Sequence, residues 1–342
     1  MISPYFLSTA VVVLRYLAAP VWAEFNPNGT QNLFVYFSQS SGINASLNEL
    51  CSNVAVDVVI IGFVRSFTDT AGYPTVDFGP SNCNGTRPAD SELAPGLAVC
   101  KEFGQKIKKC QEMGKKVFIS IGGSTSNTAF GPGSEGRTKA KKAAKLMWDL
   151  FGEGTGTRTL RPFGRDVTVD GFDIDHEQGA SDNFDVFLSS LRNYLGSASK
   201  PIYISAAPIC TTTNPTISRA SLAFVDFIFI RFYNSAACSL GRPGFLQSLK
   251  EWYQGIVPSP DSSFPKVLIG GLSFDNGNTG YVAPEIFRDA IRIAKRPDFM
   301  CWCWNEDKFG GAMLWDGPRG LTNEVANGTN YLSSVKNALL EA

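Results

Sequence analysis

The sequence predicts an α/β protein built as a single (β/α)8 TIM barrel, and three observations carry that expectation. Apolar, β-branched runs recur eight times along the chain. Segments with helical periodicity separate several of them. No G-x-G-x-x-G turn follows the first run, as the competing doubly wound sheet would usually show.

The elements follow in order. LFVYFS (33–38), VDVVIIGF (56–63), KVFISIG (116–122) and VDGFDIDHE (169–177) read as the first four strands. IYISAA (202–207), VDFIFIRFYN (225–234), KVLIGGL (266–272) and GAMLWD (311–316) read as the next four. CKEFGQKIKKCQEMGKK has helical periodicity before the third strand. TKAKKAAKLMWDLFG and NFDVFLSSLRNYLG flank the fourth, and YLSSVKNALLEA closes the chain. GPGSEG and GEGTGT read as loops. No repeat, low-complexity linker or second module is visible.

Bulk properties narrow the function classes. The 342 residues are 44% hydrophobic and 18% charged, with a formal net charge of zero. Neither a basic excess nor a charge run points to nucleic acid, and a monomer is expected. Residues 1–23 read as a secretory signal: an apolar run ending in Val-Trp-Ala, with cleavage after Ala23, and too short to span a bilayer. The mature barrel is then 24–342, outside the cell or in its wall and free of the membrane. Eight cysteines and Asn-X-Ser/Thr sequons at Asn28, Asn44, Asn84 and Asn327 agree with an oxidising compartment and a disulfide-bonded glycoprotein. The cysteines alone leave about 105 pairings.

The fourth strand carries the chemistry. Alternation puts Gly171, Asp173, Asp175 and Glu177 on one face, and Asp170, Phe172, Ile174 and His176 on the other. The apolar face meets the helices, so the acids point into the barrel, with Glu177 nearest the C-terminal end where barrel active sites lie. Like charges stacked in a low-dielectric interior cannot all ionise, so at least one pKa is driven up, as a general acid requires. No metal is expected. Counted from Asp173, an EF-hand would need Gly where Gln178 stands and Glu where Phe184 stands, and acids along one strand fan out rather than surround an ion. The only histidine, His176, reads as a packed residue of the helix-facing side.

DGFDIDHE resembles the D-G-x-D-x-D-x-E signature of family 18 glycoside hydrolases, the chitinases. KVFISIGG is similar to that family's S-x-G-G motif, ending in Gly122 and Gly123. VYFSQSSG, FYN at Phe232–Asn234 and GGAMLWD resemble the hevamine-like, class III branch that includes small fungal endochitinases. The resemblance implies retaining, substrate-assisted hydrolysis of β-1,4-linked N-acetylglucosamine, with no cofactor. Glu177 matches the general acid. Asp175 matches the group that holds the acetamido N–H, and Asp173 its proton-sharing partner. Tyr233 matches the positioning tyrosine and Trp315 the floor of the sugar subsite. Tyr36, Gln39, Phe63, Gly122, Gly123, Arg231 and Asn234 are further candidates for sugar contact. The family also suggests disulfides Cys51–Cys110, Cys83–Cys100 and Cys210–Cys238, and leaves Cys301 and Cys303 unassigned. With a helix closing the chain, no appended carbohydrate-binding module is expected.

Three positions depart from the branch pattern: Phe37 stands for Trp, His176 for an aliphatic residue, and Arg231 for Gln. Arg231 shares the face of Tyr233. If it reaches Asp175 or Glu177, its fixed charge favours the ionised carboxylate and moves the alkaline limb of activity to lower pH; the other expectation is that it turns away to pair with a loop acid. Two rival functions remain open: a carbohydrate-binding barrel of lectin or inhibitor type, and an endo-acting enzyme on the core of N-glycans.

Overall fold

A computed structural model describes residues 25–38, 45–69, 71–79, 81–83, 85–155, 160–213, 215–257, 264–296 and 308–342. The segment 1–23 read as a signal from sequence, Gln39, Asn44 and Asn84 of their sequons, and Cys301 and Cys303 lie outside these residues.

Eight parallel strands close on themselves: β1 (Asn32–Phe37), β2 (Val58–Ser66), β3 (Lys116–Gly122), β4 (Gly171–Asp175), β5 (Tyr203–Ala206), β6 (Phe227–Arg231), β7 (Lys266–Leu272) and β8 (Phe309–Trp315). Each pairs with the next, and β1 pairs with both β2 and β8, so the sheet has no free edge in the barrel. All eight expected strands are present, with shifted ends. β4 is shorter than the expected 169–177, and β6 stops at Arg231 rather than Asn234. Glu177 and Tyr233 therefore stand in the loops just above their strands.

Helices surround the sheet: α1 (Leu47–Ser52), α2 (Lys101–Glu112), α3 (Gly133–Phe151), α4 (Phe184–Leu195), α5 (Arg219–Leu222), α6 (Phe245–Gly255), α7 (Pro284–Ala294), α8 (Gly317–Thr322) and α9 (Tyr331–Glu341). α3 starts inside GPGSEG, a stretch the sequence reads as loop. Gly136 is required there because a Cβ would meet the Gly131 carbonyl oxygen at 1.9 Å, so glycine marks close packing rather than a break. Disulfides join Cys51–Cys110, Cys83–Cys100 and Cys210–Cys238, the three pairs the family resemblance implies.

Strand alternation divides the core in two. Leu33, Val35, Phe172, Ile174, Ile228 and Ile230 point outward into the layer between sheet and helices. Phe34, Phe118, Phe227, Phe229, Leu268 and Met313 point inward and fill the lower barrel. Phe34 has its ring centroid 5.8 Å from that of Phe118 and 4.9 Å from that of Phe229. Gly171 makes room for this packing: a Cβ there would lie 2.5 Å from the Phe118 ring. Above the aromatic rings the inward positions turn polar.

Candidate active site

Register brings the polar layer together. Ser120 of β3 pairs with Asp173 of β4, which pairs in turn with Ser205 of β5. Their side chains meet as well. Asp173 is fully buried and accepts hydrogen bonds from Tyr36 Oη at 2.6 Å, Ser120 Oγ at 2.6 Å and Ser205 Oγ at 2.7 Å. Burial raises its pKa, and the three hydroxyl donors offset only part of that rise.

Two residues higher, the Asp175 side chain is 6% exposed, and the Glu177 side chain beyond it is 25% exposed. The acids thus climb from a sealed interior to an open cleft. Burial pushes the pKa of Asp175 well above the usual carboxylate range; Arg231 pulls it down, while Glu177 and Asp173 push it up. One cation cannot neutralise several carboxyls, so the rise prevails.

Arg231 does not turn away. Its Nη1 lies 3.0 Å from Asp175 Oδ1 and 2.6 Å from Glu177 Oε2, and the side chain is 7% exposed. Burial works against its charge, yet the two carboxylates more than offset this, so Arg231 stays protonated. Asp175 Oδ1 makes no aligned hydrogen bond and Arg231 Nε has no partner, although both atoms are buried. Tyr233 is buried against this cluster, and its phenol is held neutral first by burial.

Above the acids opens a cleft of about 380 Å3 lined by Phe63, Gly122, Gly123, Asp175, Glu177, Arg231, Tyr233, Asn234 and Trp315. Phe63 and Trp315 stack at 5.9 Å and 22°. Tyr36 stands beneath the cleft, 1% exposed and turned to Asp173, rather than in it. The two glycines serve by close approach. Gly122 has φ 129° and a Cβ there would sit 2.0 Å from the Asp175 carbonyl oxygen, while the Gly123 N–H donates to that oxygen at 2.8 Å.

His176 takes the helix-facing side. Its ring lies 4.5 Å from that of Phe184 on α4. Nε2 donates to the Gly179 carbonyl at 3.3 Å, which leaves Nδ1 to accept from Thr128 Oγ1 at 2.9 Å. Burial lowers its pKa. Phe37 also faces outward and stacks on Phe103 of α2 at 6.1 Å.

Other cleft residues escape the sequence reading. Arg65 near the end of β2, Thr125, Phe274, Asn276 and Asn278 in the loops after β3 and β7, and Arg319 on α8 after β8 also line it. Arg65 Nη2 donates to the Thr125 carbonyl at 3.0 Å, and the Arg319 guanidinium lies 4.3 Å from the Phe274 ring centroid. Their positions at or after strand ends are the only sequence signal for them. A larger hollow of about 780 Å3 lies between the chain entering β1 and α9, at the other end of the barrel from these acids. Among the described residues, no three His, Cys, Asp or Glu side chains converge to hold a metal.

A closed parallel barrel with carboxyls rising to a cleft at its C-terminal mouth is the architecture of an acid–base glycosidase. The chain belongs to glycosyl hydrolases family 18, whose family model matches residues 32–284. It is 31% identical over 336 residues to Endochitinase 3 of Metarhizium robertsii, covering 97% of this chain and 99% of that one. It is 30% identical to the Endochitinase of Saccharomyces cerevisiae, covering 96% of this chain and 53% of the yeast protein, so it spans about half that relative's length. Among solved structures, the ICChI chitinase of Ipomoea carnea superposes with a TM-score of 0.68 at 24% identity, covering 90% of this chain and 99% of that one. The xylanase and alpha-amylase inhibitor protein XAIP-II of Scadoxus multiflorus superposes with a TM-score of 0.68 at 25% identity, covering 92% of this chain and 99% of the inhibitor.

Proposed function

We propose that the protein is a secreted endochitinase that hydrolyses β-1,4 linkages between N-acetylglucosamine units with retention of configuration. The observation that carries the reading is the graded set of Asp173, Asp175 and Glu177, with only the last well exposed in a cleft floored by Trp315. Glu177 protonates the glycosidic oxygen as the bond from C1 breaks. The substrate's own acetamido oxygen bonds to C1, giving an oxazolinium ion. Holding that oxygen beside C1 supplies a large effective molarity without an enzyme nucleophile. Asp175, whose Oδ1 is in ion-pair contact with Arg231 but makes no aligned hydrogen bond, accepts the acetamido N–H and balances the cation. Tyr233 orients the acetamido group. Glu177 then takes a proton from the incoming water, whose oxygen opens the ring at C1.

The relatives named endochitinases support the chitin assignment. Among the described residues no helix is long and apolar enough to cross a membrane. Asn28 is exposed and accessible to a glycan.

The deciding assay incubates the wild type and Glu177→Gln with chitin and with N-acetylglucosamine oligomers. Soluble products released by the wild type alone, with chitin binding kept by the variant, are expected. A second reading draws on the clamp at Glu177 and on the inhibitor fold-mate: a barrel that binds without cleaving. Binding without product from either protein would establish it. A glycoprotein assayed in parallel tests the third reading, cleavage within N-glycan cores.

A further inference from the structure

We propose that Arg231 is a positioning residue that clamps the Asp175 and Glu177 carboxyls together, so that uptake of a proton by this pair switches the site on. The proposal rests on the acid–base reading above. Its geometry is a single guanidinium nitrogen on β6 that reaches both acids at the end of β4, at 3.0 Å and 2.6 Å.

From β1, Tyr36 is committed to Asp173; from β3 and β5, Ser120 and Ser205 are neutral and committed to the same acid. From the loop just after β6 comes the neutral phenol of Tyr233. From β4, Asp173 lies below, and His176 faces the helices. Among the charged residues of the cleft wall, Arg65 lies 3.8 Å from Asp77, and Arg319 stands 3.9 Å from the Asp316 carboxylate. Among the described residues, Arg231 is therefore the fixed positive charge in contact with the acid pair.

That contact has a chemical consequence. The reaction needs a proton on Glu177, which shares one guanidinium nitrogen with Asp175, and on Asp175 that cation favours the ionised form. A neutral amide in the same place would not. The clamp thus trades proton affinity for placement: it fixes the two carboxyls relative to one another, and it confines their loaded state to lower pH. Asp175 feels the same cation, which opposes the rise that burial imposes on it. The unpartnered Nε shows that the clamp rests on charge rather than on a complete hydrogen-bonded cradle.

The test compares the wild type, Arg231→Gln and Arg231→Lys on an N-acetylglucosamine tetramer across pH 4 to 9, a range set on the order of the carboxylate and imidazole values. The alkaline limb of kcat/KM is expected to rise by about one pH unit in Arg231→Gln, which is roughly a tenfold gain on that limb. Arg231→Lys keeps the charge but not the planar guanidinium that places Nη1 between the two acids, so its limb stays with the wild type while kcat falls. Overlapping limbs for the wild type and Arg231→Gln overturn the proposal, as does an equal rise in Arg231→Lys. Carbon-13 titration of the Asp175 and Glu177 carboxyls gives a readout that needs no turnover. Their joint titration should move up in Arg231→Gln, or in Arg231→Met if the Gln variant does not fold. Protein that cleaves nothing at any pH would defeat the chitinase reading alone, and the carboxyl titration would still decide the clamp.

Discussion

Replacing Tyr36 by Phe removes one oxygen and keeps the ring. The packing against Trp315 at 5.4 Å and Phe63 at 6.0 Å is then preserved, so the change isolates one hydrogen bond to Asp173. Asp173 Oδ2 keeps its Ser120 donor and Oδ1 its Ser205 donor. If the acid is neutral, the loss amounts to about 1 kcal/mol, the usual net value of a neutral hydrogen bond; if it is ionised, the loss is about 2 kcal/mol. Burial raises the folded-state pKa of Asp173, so the native state holds the proton more tightly than the unfolded chain does. Stability conferred by that proton is present below the unfolded value of about 4 and is lost as pH rises through the folded value. The Tyr36 hydroxyl lowers the folded value, and its removal widens this window. The deficit of Tyr36→Phe is therefore expected to grow with pH, from about 1 kcal/mol near pH 4 toward about 2 kcal/mol as pH is raised to 8 and the acid ionises. Urea unfolding with the disulfides intact measures it at both values. A deficit that is equal at the two pH values would refute the account of Asp173 as a carboxylate sustained by three hydroxyls.

Other perturbations follow from the same coordinates. Gly122→Ala drives a Cβ into the Asp175 carbonyl at a φ of 129°, so a loss above about 3 kcal/mol with collapse of kcat is expected, read by urea midpoint and turnover. The double variant Cys51→Ala/Cys110→Ala opens a loop with a sequence separation of 59, for which chain entropy gives about 4 kcal/mol; calorimetry that finds no loss would deny the bond a stabilising role. His176→Leu should remain active, since the ring faces α4. Because burial lowers the folded pKa of His176, the wild type loses stability as pH falls through the unfolded value of about 6.5. That slope should vanish in the variant when unfolding is followed at pH 5 and 7.5.

Strand positions and the inward face of β4 are legible in the sequence because alternation is a local property of the chain. The same rule places Arg231 beside the acids, and the family pattern marks it as a departure. Legibility fails where the decisive contact is distant. Gly136 reads as a loop former until its approach to Gly131 is seen. The excursion from β2 to α2 carries short strands at Thr75–Val76, Gly85–Thr86 and Ala98–Val99, two residues each, too short for any periodicity. Arg65 at the end of β2, Phe274 in a loop and Arg319 on α8 are ordinary residue types, and only barrel closure gathers them at one mouth. Tyr36 shows a subtler limit: its motif points to the sugar, whereas its hydroxyl is spent on Asp173.

The aromatic filling of the lower barrel also acts as an electrical insulator. Phe34, Phe118, Phe227 and Phe229 pack the space beneath Asp173 with buried apolar rings, so the field of the acids has little to polarise below it. Field lines leave by the wetter route, through the mouth, and are focused there. A cation that forms over Asp175 during reaction would lie where that field emerges. The phenylalanines at the base of the barrel, far from any sugar, thus help direct electrostatic stabilisation toward the one place where positive charge is expected to develop.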